Sequence, residues 1–132
     1  MGYRESGRVT EAKKKPRKRV HVAKEADKLF SLWVRSVGMC EIEDGRPHNG
    51  NLQTMHGFSR RYHSVRWDRR NAWCGCAAHH MRFTHDPLGW DLWLRRQWGD
   101  ALYDEMRALA LSHEKQDLPE LVEMLRERTK DL

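Results

Sequence analysis

The 132-residue chain is expected to fold as an α+β protein. Its centre should be two short strands and a helix around a metal ion, a ββα-metal arrangement, with supporting helices on both sides and a basic N-terminal arm. Three observations predict this. Histidines, cysteines and arginines crowd into the stretch from Asn51 to His85, which is too polar for an ordinary hydrophobic core. Within it, short segments read as strands and a further one as a helix. On either side, apolar residues recur at helical spacing.

The length allows one domain and perhaps a tail, divided as a basic disordered arm over 1–19 and a single domain over 20–132, with a core at 38–86 and C-terminal helices at 87–130. Hydrophobic residues make up 39% of the chain, and six tryptophans should supply much of the buried area. The formal charge of +6 and pI near 9.5 point to a polyanionic partner. No apolar run approaches the roughly 18 residues of a membrane span, and none follows the basic N-terminus as a signal peptide would require. The expected setting is therefore soluble and cytoplasmic, without membrane contact.

In chain order, the run Lys13, Lys14, Lys15, Pro16, Arg17, Lys18, Arg19 reads as an arm that meets phosphate through counterion release. From about Val22 to Val37, Leu29, Phe30, Trp33, Val34 and Val37 repeat at helical spacing, and Gly38 follows as a C-cap. Residues 39–50 are turn-rich and begin a loop at Cys40. Leu52 to His56 reads as a strand, 58–65 as a basic connection, and 66–73 as the approach to a second strand or turn. Residues 76–84 can start a helix that carries His79 and His80. Asp86 and Pro87 form a helix entry, and Gly99 breaks that helix. A second stripe follows at Leu102, Tyr103, Met106, Leu109 and Ala110, and Asp117 or Leu118-Pro119 opens the last helix.

The three cysteines are not spaced as a disulfide framework, and near histidines they are better read as metal ligands. Cys76-x-x-His79 is a half-site, because that spacing turns both side chains to one ion. A structural zinc needs a second pair. Cys40 is the third ligand, and the fourth is open between Glu43 and His48, with Cys74 able to displace Cys76.

Phosphodiester hydrolysis needs a base for water, charge stabilisation at the phosphorane and groups that orient both. His56, at the end of a strand, can be the base. Successive helical residues point about 100° apart, so His79 can face a structural ion while His80 faces a catalytic one. Asn71 could hold the ring of His56 or touch the metal, and Asp68 or His85 could complete the shell of the catalytic cation. Arg60, Arg61, Arg66, Arg69 and Arg70 offer forked donors for phosphate.

The order Cys40, Leu52–His56, Arg66-Trp67-Asp68-x-x-Asn71 and Cys76-x-x-His79-His80 resembles the HNH endonucleases. The similarity extends to phage recombination nucleases of the NinG (Rap) type, through His56, Phe58, Ser59-Arg60, Arg66-Trp67-Asp68 and Asn71. It covers roughly residues 38–105. The resemblance implies a metal-dependent DNA endonuclease of low sequence specificity. His56 would be its general base, Asn71 a positioning residue and His80 a ligand of a catalytic Mg, Mn or Ni ion. It also implies phage recombination or packaging partners and a bacterial host cytoplasm. The chain departs from the family at Glu43 and His79, where cysteines are usual, and at Met55, where many relatives carry an acidic or histidine metal ligand. A non-catalytic, zinc-stabilised DNA-binding module is the alternative that Met55 keeps open. A third is an interaction protein whose basic arm serves RNA or a protein partner.

Overall fold

The computed structural model describes residues 3–132, with side chains described from residue 19 onward. Strands β1 (Leu52–His56) and β2 (Ala72–Cys76) form an antiparallel ribbon in which Leu52 faces Cys76 and His56 faces Ala72. The period-2 alternation of strands then decides what each face carries. Leu52, Thr54, His56, Ala72, Cys74 and Cys76 share one face. Gln53, Met55, Trp73 and Gly75 share the other.

Helix α1 (Tyr3–Arg35) covers the first face. Ser31 and Thr54 hydroxyls are 2.8 Å apart, and the Phe30 ring lies nearly parallel to that of His56 with centroids 6.0 Å apart. Helix α5 (Leu118–Thr129), N-capped by Asp117, packs along α1. Ala26, Phe30, Val34, Trp67, Cys74, Val122 and Leu125 form the core between them and the ribbon. Cys74 is consumed here as a buried apolar side chain. It is not a metal ligand, because α1 lies over its part of the strand, whereas Cys76 sits at the strand's end.

Helix α2 (His63–Arg66) and the single 3-10 turn at Arg69–Asn71 occupy the connection between the strands. Helix α3 (Ala77–Thr84) leaves β2 directly, and α4 (Pro87–Leu111) crosses the ribbon's second face. Asp86 caps α4 by accepting the Gly89 N–H at 3.0 Å. Gly99, at φ 77 and ψ 162, breaks α4 where a break was expected, since a side chain there would be strained. Met55 is buried among Ile42, Phe83, Trp93, Leu94 and Tyr103. A Cβ at Gly75 would come within 2.1 Å of the Met55 sulfur, so that glycine makes room for the thioether. Trp73 meets Trp90, Trp93 and Trp98 at centroid distances of 5.2–5.7 Å. Trp93 is buried and the other three pack half-buried against the same core, as the tryptophan content implied.

One boundary differs from expectation. α1 begins at Tyr3, whereas apolar periodicity placed its start near Val22 and left 1–19 as a disordered arm. Lys, Arg, Glu and Ala sustain a helix without an apolar stripe, so periodicity was blind to that part of it. The side chains of Lys13, Lys14, Lys15, Arg17 and Lys18, expected on DNA, lie outside the described residues. Among the described residues, no helix is long and apolar enough to cross a membrane.

Phe30 joins α1, α5 and the His56 ring, so Phe30→Ala should cost about 3–5 kcal/mol of stability. Urea titration should show a lower midpoint with an unchanged slope. A loss below about 1 kcal/mol would mean that this helix pair does not support the ribbon.

Candidate functional site

The loop before β1 and the junction of β2 with α3 bring four side chains together. Cys40, His48, Cys76 and His79 each offer one ligand atom, all within 4.8 Å of one another, close enough to hold a metal ion. The Cys76 sulfur is 3.1 Å from His79 Nδ1 and 3.9 Å from His48 Nδ1, and the Cys40 sulfur is 3.8 Å from His79 Nδ1. Local structure fixes this convergence. Glu41 N–H donates to the Cys74 carbonyl and the Glu41 carboxylate accepts the Cys74 N–H, which lays Cys40 beside β2. Ala77 and Ala78 N–H groups donate to the Asn51 and Asn49 carbonyls, pinning His48's loop to the start of α3.

Asp44 completes the arrangement. Its carboxylate accepts from His79 Nε2 at 2.7 Å, so that nitrogen carries the proton and Nδ1 turns its lone pair to the sulfurs. Burial works against the Asp44 charge, but bonds from Arg46 and His79 outweigh it and hold the carboxyl well below the usual range. Burial would likewise raise the Cys76 thiol. Hydrogen bonds, foremost those from the backbone N–H groups of His79 and Asn49, prevail and bring it down to about 5. Burial pushes Cys40 up.

The fourth position thus goes to His48, and Glu43 is corrected. Glu43 is exposed and approaches only the outer nitrogen, Nε2, of His48, at 3.7 Å. Asp44 was missed by sequence reasoning. Its place next to a candidate ligand was the available clue, but only the fold aims it at His79.

A separate hollow of about 530 Å³ opens where β1 ends against α3 and the start of α4. His56, Gly57, Ser59, Arg60, His80 and Trp90 are among its lining residues, so the two expected reactive imidazoles open on one space. His56 Nε2 lies 3.2 Å from the Arg66 carbonyl. A carbonyl only accepts, so Nε2 holds the proton and Nδ1 keeps a lone pair. Burial lowers the His56 pKa, and the Arg60 charge lowers it further. The ring is therefore neutral at physiological pH. His80 Nδ1 lies 2.7 Å from the Gln53 side-chain oxygen, and burial lowers its pKa as well. The Trp90 indole N–H donates to the His56 and Gly57 carbonyls at 3.2 and 2.9 Å, which fixes the backbone at the strand's end. The tryptophans were expected to supply buried area, and the polar handle of this one went unnoticed.

Asn71 acts on the backbone rather than on the His56 ring or a metal. Fully buried, it accepts the Phe58 N–H at 2.7 Å and donates to the Phe58 and Val65 carbonyls, while its own carbonyl takes the Gly57 N–H. It clasps the turn that follows His56. Asp68 is likewise corrected as a cation ligand: it caps the 3-10 turn and pairs with Arg70, and it does not line the hollow. His85 is exposed at the C-cap of α3 and does not line it either.

Of the five arginines read as phosphate donors, three are engaged internally. Arg66 pairs with Asp27, Arg70 with Asp68 and Glu105, and Arg69 donates to the Ala72 carbonyl and approaches Glu41 at 3.8 Å. Arg60 and Arg61 are exposed and form no ion pair among the described residues, and Arg19 is also exposed. Sequence alone could not separate these groups, because the carboxylates concerned lie up to 39 residues away.

Purified without chelator, the chain should carry about one divalent ion. Cys76→Ser and His79→Ala should lose it, Asp44→Asn should weaken its affinity about 10–100-fold, and Glu43→Gln should retain it. Elemental analysis after dialysis reads all four. Retention in His48→Ala together with loss in Glu43→Gln would reverse the ligand assignment.

No protein-family model, curated protein or solved structure matches this chain.

Proposed function

We propose that the chain is a metal-dependent DNA endonuclease of the HNH type, with a structural zinc ion at Cys40, His48, Cys76 and His79. The observation that carries the reading is the shared hollow of His56 and His80, rimmed by Arg60, at the open end of a strand–strand–helix unit. Two thiols and two imidazoles are a usual donor set for tetrahedral structural zinc. Asp44 supports it as the partner that orients a ligating histidine.

In this reading Arg60 holds the phosphodiester at the mouth of the hollow. His56 Nδ1 takes a proton from water as its oxygen forms a bond to phosphorus. The bond from phosphorus to the leaving sugar oxygen breaks, and that oxygen takes a proton from solvent. Asn71 and Trp90 hold the backbone on either side of His56, keeping the base in place. A divalent cation such as Mg, Mn or Ni, when bound, would neutralise charge on the phosphorane. His80 is the side chain that could meet it, but no carboxylate lines the hollow, so the residues present fit a hard cation poorly. Met55 also lines the hollow, but its soft thioether is a poor ligand for such an ion.

That lack of a carboxylate favours one alternative, a zinc-stabilised DNA-binding module without catalysis. Incubation of supercoiled plasmid with Mg²⁺, Mn²⁺ or Ni²⁺ decides between them. The nuclease reading expects nicking that falls about 100-fold or more in His56→Ala. Its rate should decline only as pH drops through a pKa below 6.5, because burial depresses that of His56, and should level off at neutrality. Nicking unchanged in the variant removes His56 as the base, and DNA binding without cleavage under every metal favours the module. Phage recombination or packaging partners and a host cytoplasm are part of the same proposal and stand or fall with it.

A further inference from the structure

A second hollow, of about 480 Å³, lies on the far side of Arg60, between α1, α2 and the first residue of α5. Its floor is apolar, built from Ala23, Trp67 and Leu118, and its rim carries the cations Arg19, Lys24 and Arg60 beside the imidazole of His63. The floor is rigidly set. Asp27 accepts from Arg66 and from the Trp67 indole N–H, and the Arg66 guanidinium covers the Trp67 ring at 4.9 Å. Arg66 is thereby spent on the wall. The rim groups Arg19, Lys24 and Arg60 are exposed and make no ion pair among the described residues. The exposed imidazole of His63 lines the hollow, 6.2 Å from the Trp67 ring and tilted to it by 46°.

We infer that this hollow binds one unpaired nucleotide of a single DNA strand, the neighbour of the phosphate held by Arg60. A cationic rim above an apolar floor suits a phosphate attached to a base, and a stacking ring accepts any base. The volume is that of a site for one small molecule. Arg60 lines both hollows, so a strand whose phosphate it holds beside His56 has its next nucleotide at the mouth of this one. The inference rests on the nuclease reading for the direction of the strand. The binding itself does not depend on cleavage. It makes the preferred substrate one with unpaired nucleotides beside the cleaved bond.

The test is fluorescence anisotropy on the full chain with its own metal retained and no catalytic cation added, using a short labelled oligothymidylate and a blunt duplex. The wild type should bind the single strand more tightly. Ala23→Trp, which fills the floor, and His63→Ala, which removes the stacking face, should each weaken single-strand binding about tenfold or more. Duplex binding should change less than about twofold in both. Should Ala23→Trp fail to fold, the exposed His63→Ala decides alone. Single-strand affinity unchanged in His63→Ala, equal losses on the two probes, or a wild-type preference for duplex would each overturn the inference. His56-dependent plasmid nicking would survive that result. Conversely, nicking that ignores His56 alongside these losses would remove the nuclease mechanism and leave the nucleotide site.

Discussion

The convergence of Cys40, His48, Cys76 and His79 is the constraint on which the rest of the molecule depends. The loop over 39–50 has no strand or helix of its own, yet it carries two of the four ligand atoms. A handful of backbone bonds hold it to β2 and α3. An ion there would join two segments far apart in sequence, and the free energy of binding it would count towards folding. The ribbon has only two strands, too few to be stable unaided. It persists because helices cover both faces and because this cluster closes one end.

The proposed function rests on what lies at the other end. β1 runs from beside the cluster at Leu52 to His56, and α3 starts at the cluster and carries His80 one residue beyond the buried ligand His79. The same short unit thus places one imidazole where it could hold an ion and presents another to the hollow. The backbone around His56 is secured by the Asn71 side chain and the Trp90 indole. Neither group bonds to the imidazole, so both act on it through the backbone. Of the five central arginines, only Arg60 and Arg61 remain for an anionic partner after Asp27, Asp68, Glu41 and Glu105 have engaged the others. Net charge therefore overstates how many cations a polyanion would meet here.

Much of this was legible in the residues. The strand at Leu52–His56, the break at Gly99 and the caps at Asp86 and Asp117 follow from local stereochemistry, which acts over a few residues and can be read there. So could the half-site Cys76-x-x-His79, since two-residue spacing brings both side chains to one point. The start of α1 was not legible, because polar helix formers leave no apolar period to follow. The roles of Asn71, Asp68 and Arg66 were not legible either. Each is settled by a partner that only the fold supplies.

By itself, the sequence determined the α+β class, the order of the ribbon and its helix, and which residue types could bind a metal or take a proton. Those depend on spacing along the chain. The tertiary structure alone decided that His48 and not Glu43 completes the cluster, that Asp44 orients His79, and that Cys74 belongs to the core. It also decided that Arg60 stands between two hollows. The physical reason is that a coordination shell or an ion pair is fixed by distances of a few ångströms between side chains. Such distances between segments tens of residues apart exist only once helices α1, α4 and α5 have packed the ribbon into place.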